Sequence, residues 1–138
     1  MLRGLTTAVF LADDVSAAEK WYADLLGIDS YFARPVDGPP AYVEFRLGDY
    51  QHELGIIDSR YAPHRPAEAA AGVILYWAVD DIQAAYDRLL ELGATPHDPV
   101  TERGPGFVTA SVVDPFGNIL GVMVNEHYLE TLASLQAE

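Results

Sequence analysis

The chain has 138 residues, 50% of them hydrophobic, enough for one compact domain or two small similar modules sharing a core. Its 21 acidic and 8 basic residues give a net charge of −13, which excludes nucleic acid and anionic lipid as partners and leaves plain solubility or attraction of a cationic ligand. There is no cysteine, so disulfides, thiolate metal sites and a cysteine nucleophile are excluded together, and any metal would need His, Asp or Glu.

The opening MLRGLTTAVF lacks the features of a secretion signal, and no apolar run approaches the roughly 20 residues of a membrane span. A cytoplasmic protein is expected, with no membrane partner. TTAVFLA reads as a strand running into Asp13 and Asp14, and the Ala-rich segment after it as a helix that Asp14 caps and Gly27 ends. Val15, Ala18, Tyr22 and Leu25 form one stripe of that helix, suited to packing on a sheet. Three strands should follow, Ile28 to Arg34, Ala41 to Leu47 and Gln51 to Ile57, broken by DGPP and GDY. The linker 59–71 carries two prolines, His64 and an Ala-rich tract, and reads as a loop, a short helix or a flap.

The pattern then repeats. ILYWAVDDIQAAYDRLLELG sets Asp81 against Asp14 and Gly93 against Gly27, with a second stripe of Ile82, Ala85, Leu89 and Leu92. A weak strand around Thr95 to Val100 precedes clear ones at Phe107 to Val113 and Asn118 to Val124, and RGPG reads as a tight reversal. VVDPFGNILGVM is strand, turn and strand, with Gly121 leaving a gap in an apolar run. The plan is βαβββ twice, modules 1–58 and 72–126, with a terminal helix over 127–138.

This doubled strand-Asp-helix-Gly pattern, with VVDPFGNILGVM, resembles the vicinal oxygen chelate superfamily of glyoxalases, extradiol dioxygenases, fosfomycin-resistance enzymes and bleomycin-resistance proteins. The resemblance covers nearly the whole chain. It implies an α+β fold in which two βαβββ modules form a curved mixed sheet around a ligand cleft, with helices on the outer face. It also implies that metal-using members draw one ligand from the first strand of each module, seven places before the capping aspartate, and a carboxylate from each last strand. Those places hold Thr7 and Ile74, then Glu53 and Gly121. A hydroxyl is a poor donor for a divalent ion, and an alkyl group or a hydrogen atom is none. With Glu53 alone remaining, no metal and no cofactor are expected, since zinc takes three or four protein ligands.

Neighbours on a strand point to opposite faces, so His52 turns away from Glu53 and reads as a hydrogen-bonded structural histidine. His64 and His97, expected in loops, and His127 near the tail read as solvated. The same alternation sets Tyr42, Glu44 and Arg46 against Val43, Phe45 and Leu47, and places Gly55 with Glu53, Val9 with Thr7, Tyr76 with Ile74, and Met123 with Gly121. A cleft lined by these residues is mostly apolar, with Thr7, Arg46, Glu53 and Tyr76 as polar handles. It suits a small organic ligand, cationic or aromatic, although a sheet with a merely wet polar face has the same pattern. In such a cleft desolvation should raise the Glu53 pKa and fit it as a general base, with Arg46 pulling the other way.

Three functions follow. One is a metal-independent small-molecule-binding protein of the glyoxalase/bleomycin-resistance type. The second is a metal-dependent lyase, isomerase or dioxygenase of the same superfamily, and the third a metal-free enzyme using Glu53. Whether the chain is an enzyme stays open at this level. A homodimer is expected from the resemblance; Trp21 and Trp77 suit a buried interface and a core equally.

Overall fold

A computed structural model describes Met1 and residues 3–62 and 73–137; His64 and most of the expected linker lie outside the described residues. The chain divides into two compact units, Met1–Ala69 and Ala70–Glu138, each with a four-stranded sheet, and the class is α+β with two βαβββ modules.

In the first unit β1 is Thr7–Ala12, α1 Val15–Leu26, β2 Phe32–Arg34, β3 Tyr42–Leu47 and β4 His52–Asp58. The strand order is β1-β4-β3-β2, with β1 parallel to β4 and the other pairs antiparallel. Asp14 caps α1 by accepting from the Ala17 amide at 3.0 Å, and Gly27 ends it in the left-handed conformation at φ 68°. Val15, Ala18 and Tyr22 are buried as the stripe requires, while Leu25 is half-buried. The helix packs on β3 and β4, where Val43, Phe45, Leu54 and Ile56 are buried. Tyr22 meets the Phe10 ring at 6.0 Å between centroids. Each fully buried large side chain contributes about 1.5–3 kcal/mol, so this packing fixes which face of each strand looks inward.

Strand β2 is shorter than the expected Ile28 to Arg34. The reason lies in Ser30, whose hydroxyl donates to Glu19 of α1 and holds the chain against the helix before it joins the sheet. After β4, Asp58 accepts from the Arg60 amide at 2.9 Å and caps a 3-10 turn over Ser59–Tyr61. Its carboxyl also pairs with the Arg60 guanidinium at 2.8 Å, which holds its pKa below the usual carboxylate range.

In the second unit β5 is Leu75–Ala78, α2 Ile82–Glu91, β6 Thr95–Gly104, β7 Phe107–Val113, β8 Ile119–Asn125 and α3 Glu126–Gln136. The order is β5-β8-β7-β6, with β5 parallel to β8. Asp81 caps α2 as Asp14 caps α1, and Gly93 beyond its end has φ 100°. Leu89 from α2 is buried, as are Ala110, Val112, Leu120 and Val122 from the sheet. Strand β6 runs four residues past the expected end at Val100, despite Pro96 and Pro99. As the edge strand it can leave amide positions unpaired, and its register shifts fall around Pro96, Asp98 and Thr101. The expected loop position of His97 is therefore corrected, because it lies inside β6. Helix α3 starts at Glu126, where Asn125 accepts from the Tyr128 amide at 3.2 Å.

The β7–β8 turn is organised by Asp114. Its buried carboxylate accepts from the Phe116 amide at 2.9 Å, the Asn118 amide at 2.8 Å and the Asn118 side-chain amide at 2.9 Å. This accounts for the Asp-Pro-Phe-Gly-Asn order, with Gly117 at φ 94° closing the reversal. Asp114→Ala strands three donors, two of them backbone, whereas Asp14→Ala removes a single exposed cap worth about 1 kcal/mol. The first should therefore lower the urea midpoint at least twice as far as the second at an unchanged m-value, as read by denaturant titration.

Candidate functional site

Strand register arranges the open face of the first unit's sheet, opposite α1, in rows. Thr7, Glu53 and Arg46 occupy one row on β1, β4 and β3. Val9, Gly55, Glu44 and Phe32 make the next, and Leu11, Ile57, Tyr42 and Arg34 the one after. Within the first row Thr7 Oγ1 donates to Glu53 Oε2 at 2.8 Å and Arg46 Nη2 donates to Glu53 Oε1 at 2.7 Å. Arg46 Nη2 also reaches the Tyr31 hydroxyl at 3.2 Å, and the guanidinium carbon lies 5.0 Å from the Tyr31 ring centroid. Tyr31 in turn donates to Glu44 Oε2, and Tyr42 donates to Glu44 Oε1 at 2.5 Å. One chain of contacts thus runs Thr7, Glu53, Arg46, Tyr31, Glu44, Tyr42.

The electrostatics follow from these contacts. The Thr7 hydroxyl first, and the Arg46 guanidinium second, stabilise the charged form of Glu53 and lower its pKa. Burial acts the other way but is outweighed, because the side chain keeps 26% of its surface exposed. This overturns the expectation of a raised Glu53 carboxyl. Arg46 is shifted up, chiefly by its bond to Glu53. The Tyr31 hydroxyl is raised, mainly by donating to the Glu44 carboxylate, and Tyr42 is raised by burial first and by the same carboxylate second.

Gly55 is open to the Tyr42 ring, whose hydroxyl lies where a Cβ at this position would point. The second unit repeats the device with a different partner. Tyr76 pairs with Gly121, and a Cβ on Gly121 would lie 2.7 Å from Tyr76 Cδ1 and 2.8 Å from the Leu75 carbonyl oxygen. Val9 and Tyr76 each stand five places before their capping aspartates, and each pairs with one of the two glycines. Within the repeat Gly121 is therefore the counterpart of Gly55, and Ile119, not Gly121, is the counterpart of Glu53. Ile74 is half-buried just ahead of β5, and Met123, half-buried, accepts through sulfur from Asn125 Nδ2 at 3.5 Å.

The residues do not fit the divalent ion that the resemblance implies. Both Glu53 oxygens are engaged by donors of the chain itself, Ile74 and Ile119 have no donor atom, and Gly121 has neither a donor nor room for one. Among the described residues no three His, Asp or Glu side chains gather as a ligand group. His52 is exposed beside the Tyr50 ring, and His127 is exposed 3.4 Å from Glu130.

Sequence alternation placed Glu44 and Tyr42 on the right face but did not single them out, and it missed Tyr31, which precedes β2 and owes its position to its amide bond to the Glu44 carbonyl at 3.0 Å. It also missed a polar strip on the second unit, where Arg103 donates to Thr109 at 3.0 Å and Asp98 at 2.7 Å while His97 Nδ1 meets the buried Ser111 hydroxyl at 2.7 Å. The irregular register of β6 concealed it.

A family model described as Glyoxalase/Bleomycin resistance protein/Dioxygenase superfamily matches residues 4–122. Among solved structures, a member of that superfamily from Sphaerobacter thermophilus is 22% identical, with 88% of this chain and 97% of that chain covered and a TM-score of 0.69. A lactoylglutathione lyase from Agrobacterium tumefaciens is 20% identical, covering 88% and 93%, with a TM-score of 0.65. A glyoxalase-related enzyme from Fulvimarina pelagi is 17% identical over 90% and 89%, with a TM-score of 0.66. These likenesses are of fold. No curated protein matches the chain.

Glu53 should titrate below the roughly 4.3 of an unperturbed glutamate. Because its folded pKa is depressed, the stability it contributes is present above that value and is lost as pH falls through the folded pKa. Thr7→Val removes the leading cause of the shift and should move the Glu53 carboxyl upward, as read from its carbon resonance by NMR titration; an unmoved resonance would contradict the assignment.

Proposed function

We propose a binding function for this chain, which belongs to the Glyoxalase/Bleomycin resistance protein/Dioxygenase superfamily: the open sheet face of its first unit holds a small organic molecule without a divalent ion. The observation that carries this reading is the commitment of Glu53 to Thr7 and Arg46. A carboxylate held ionised by two donors is a poor proton acceptor, so the reading assigns it to binding and not to general-base catalysis. Held in place by the row it belongs to, the pair forms a preorganised polar handle for a ligand.

The surface around the handle supports the same reading. Val9 and Tyr31, 51% and 49% exposed, supply apolar area beside the charges, the mixture that organic ligands require. In the second unit Tyr76, 40% exposed, offers a flat apolar surface of similar kind, with Ile74, Gly121 and Met123 beside it. The net charge of −13 favours ligands that are not polyanions. Among the described residues no helix is long and apolar enough to cross a membrane. A homodimer completes the reading, supported by Leu129 and Leu135 on α3, 54% and 51% exposed.

The test is a thermal-shift screen of the purified chain against divalent ions and against cationic and aromatic small molecules. Zinc, nickel and manganese should leave Tm unchanged. A true ligand at a hundred times its Kd adds about 2.7 kcal/mol, a rise on the order of 10 °C for a chain of this size, and Arg46→Ala should abolish that rise. Stoichiometric metal retained through chelator dialysis, or a screen without any organic hit, would refute the proposal.

A further inference from the structure

The β2–β3 edge of the open face carries three aromatic rings around a single carboxylate. Phe32 stands opposite Glu44 in the strand pair, and Tyr42 lies two residues away on the same face. Tyr31 and Tyr42 both donate to the Glu44 carboxylate. The rings form a continuous set: Tyr31 and Phe32 have centroids 6.3 Å apart, and Phe32 and Tyr42 meet edge to face at 6.2 Å. Among the described residues no cationic group lies within ion-pair distance of Glu44, whereas Glu53, the other acidic member of the rows, is paired with Arg46. An ionised carboxylate offers about four lone-pair directions, and the two phenols use two of them.

Two cations of the chain already rest on these rings. The Arg34 guanidinium carbon lies 4.2 Å from the Phe32 centroid, and that of Arg46 lies 5.0 Å from the Tyr31 centroid. Arg46 is tied to Glu53, but Arg34, which donates to the Ala33 carbonyl, is exposed. An electron-rich ring face attracts a positive charge without demanding a directed hydrogen bond. Arg34 thus shows what this edge accepts and occupies part of it.

We infer that this edge, Tyr31, Phe32, Tyr42 and Glu44, is a recognition site for the ammonium group of a ligand, a quaternary or alkylated amine seated against the rings with its charge toward Glu44. The inference deepens the binding function proposed above and rests on it, since it names the chemical class taken by the same open face. The ligand competes with Arg34 for the aromatic surface. An anion-binding site would need Arg34, whereas an ammonium site is relieved by its removal.

The experiment titrates choline, and separately its neutral tert-butyl isostere, into the full chain while following the ring-proton shifts of Tyr31 and Phe32 by NMR. Choline should bind and shift both rings, and the isostere should bind at least about tenfold more weakly. Glu44→Gln should weaken choline by about tenfold or more, because the carboxylate charge is the leading attraction. Arg34→Ala should leave choline affinity equal or tighter. Tyr31→Leu, a change at an exposed ring that spares the core, gives a second loss of affinity in a chain whose unfolding midpoint stays near wild type. Equal binding of choline and its isostere, no shift of either ring, or loss of choline binding in Arg34→Ala would each overturn the ammonium assignment. A neutral aromatic that still raises Tm in such a case leaves the binding function standing and removes only the inference drawn here.

Discussion

Strand β3 has only one way to face. Val43 and Phe45 are wholly buried, and a slip of one residue would drive Tyr42, Glu44 and Arg46 into the core while exposing both. That penalty, several kcal/mol from the two side chains alone, sets the orientation of every polar group on the opposite face. Antiparallel pairing then lines Arg46 up with Glu53, and parallel pairing lines Glu53 up with Thr7. The charged network is a consequence of packing on the other side of the sheet.

Because the network is assembled by register, its electrostatics are set by the fold itself. Glu53 is partly buried, and burial alone would push its carboxyl upward. A hydroxyl on one neighbouring strand and a guanidinium on the other hold it ionised. The same guanidinium is also the link to the aromatic end of the face, through the Tyr31 hydroxyl. Charge at one end of the face and aromatic surface at the other therefore belong to one contiguous arrangement.

The architecture was readable because its signals are local. Capping aspartates, left-handed glycines and the Asp-Pro-Phe-Gly-Asn turn each act within a few residues, and alternation along β3 and β4 put Arg46 and Glu53 on one face. What escaped depended on contacts between distant residues. Nothing near Tyr31 in the chain announces that its hydroxyl will find Glu44. Desolvation was a reasonable expectation for Glu53, yet the hydrogen bond from Thr7 was decisive, and Thr7 is 46 residues away. Strand β6 failed for a further reason: prolines speak against a strand, and only its place at the sheet edge reconciles them with one.

The glycine beneath Tyr76 has an evolutionary corollary. If position 121 merely lacked a side chain, one substitution could supply it. Here the ring of Tyr76 and the Leu75 carbonyl both stand in the volume that any side chain would enter. Filling it would demand concerted change on two adjacent strands, so positions 76 and 121 can vary only together.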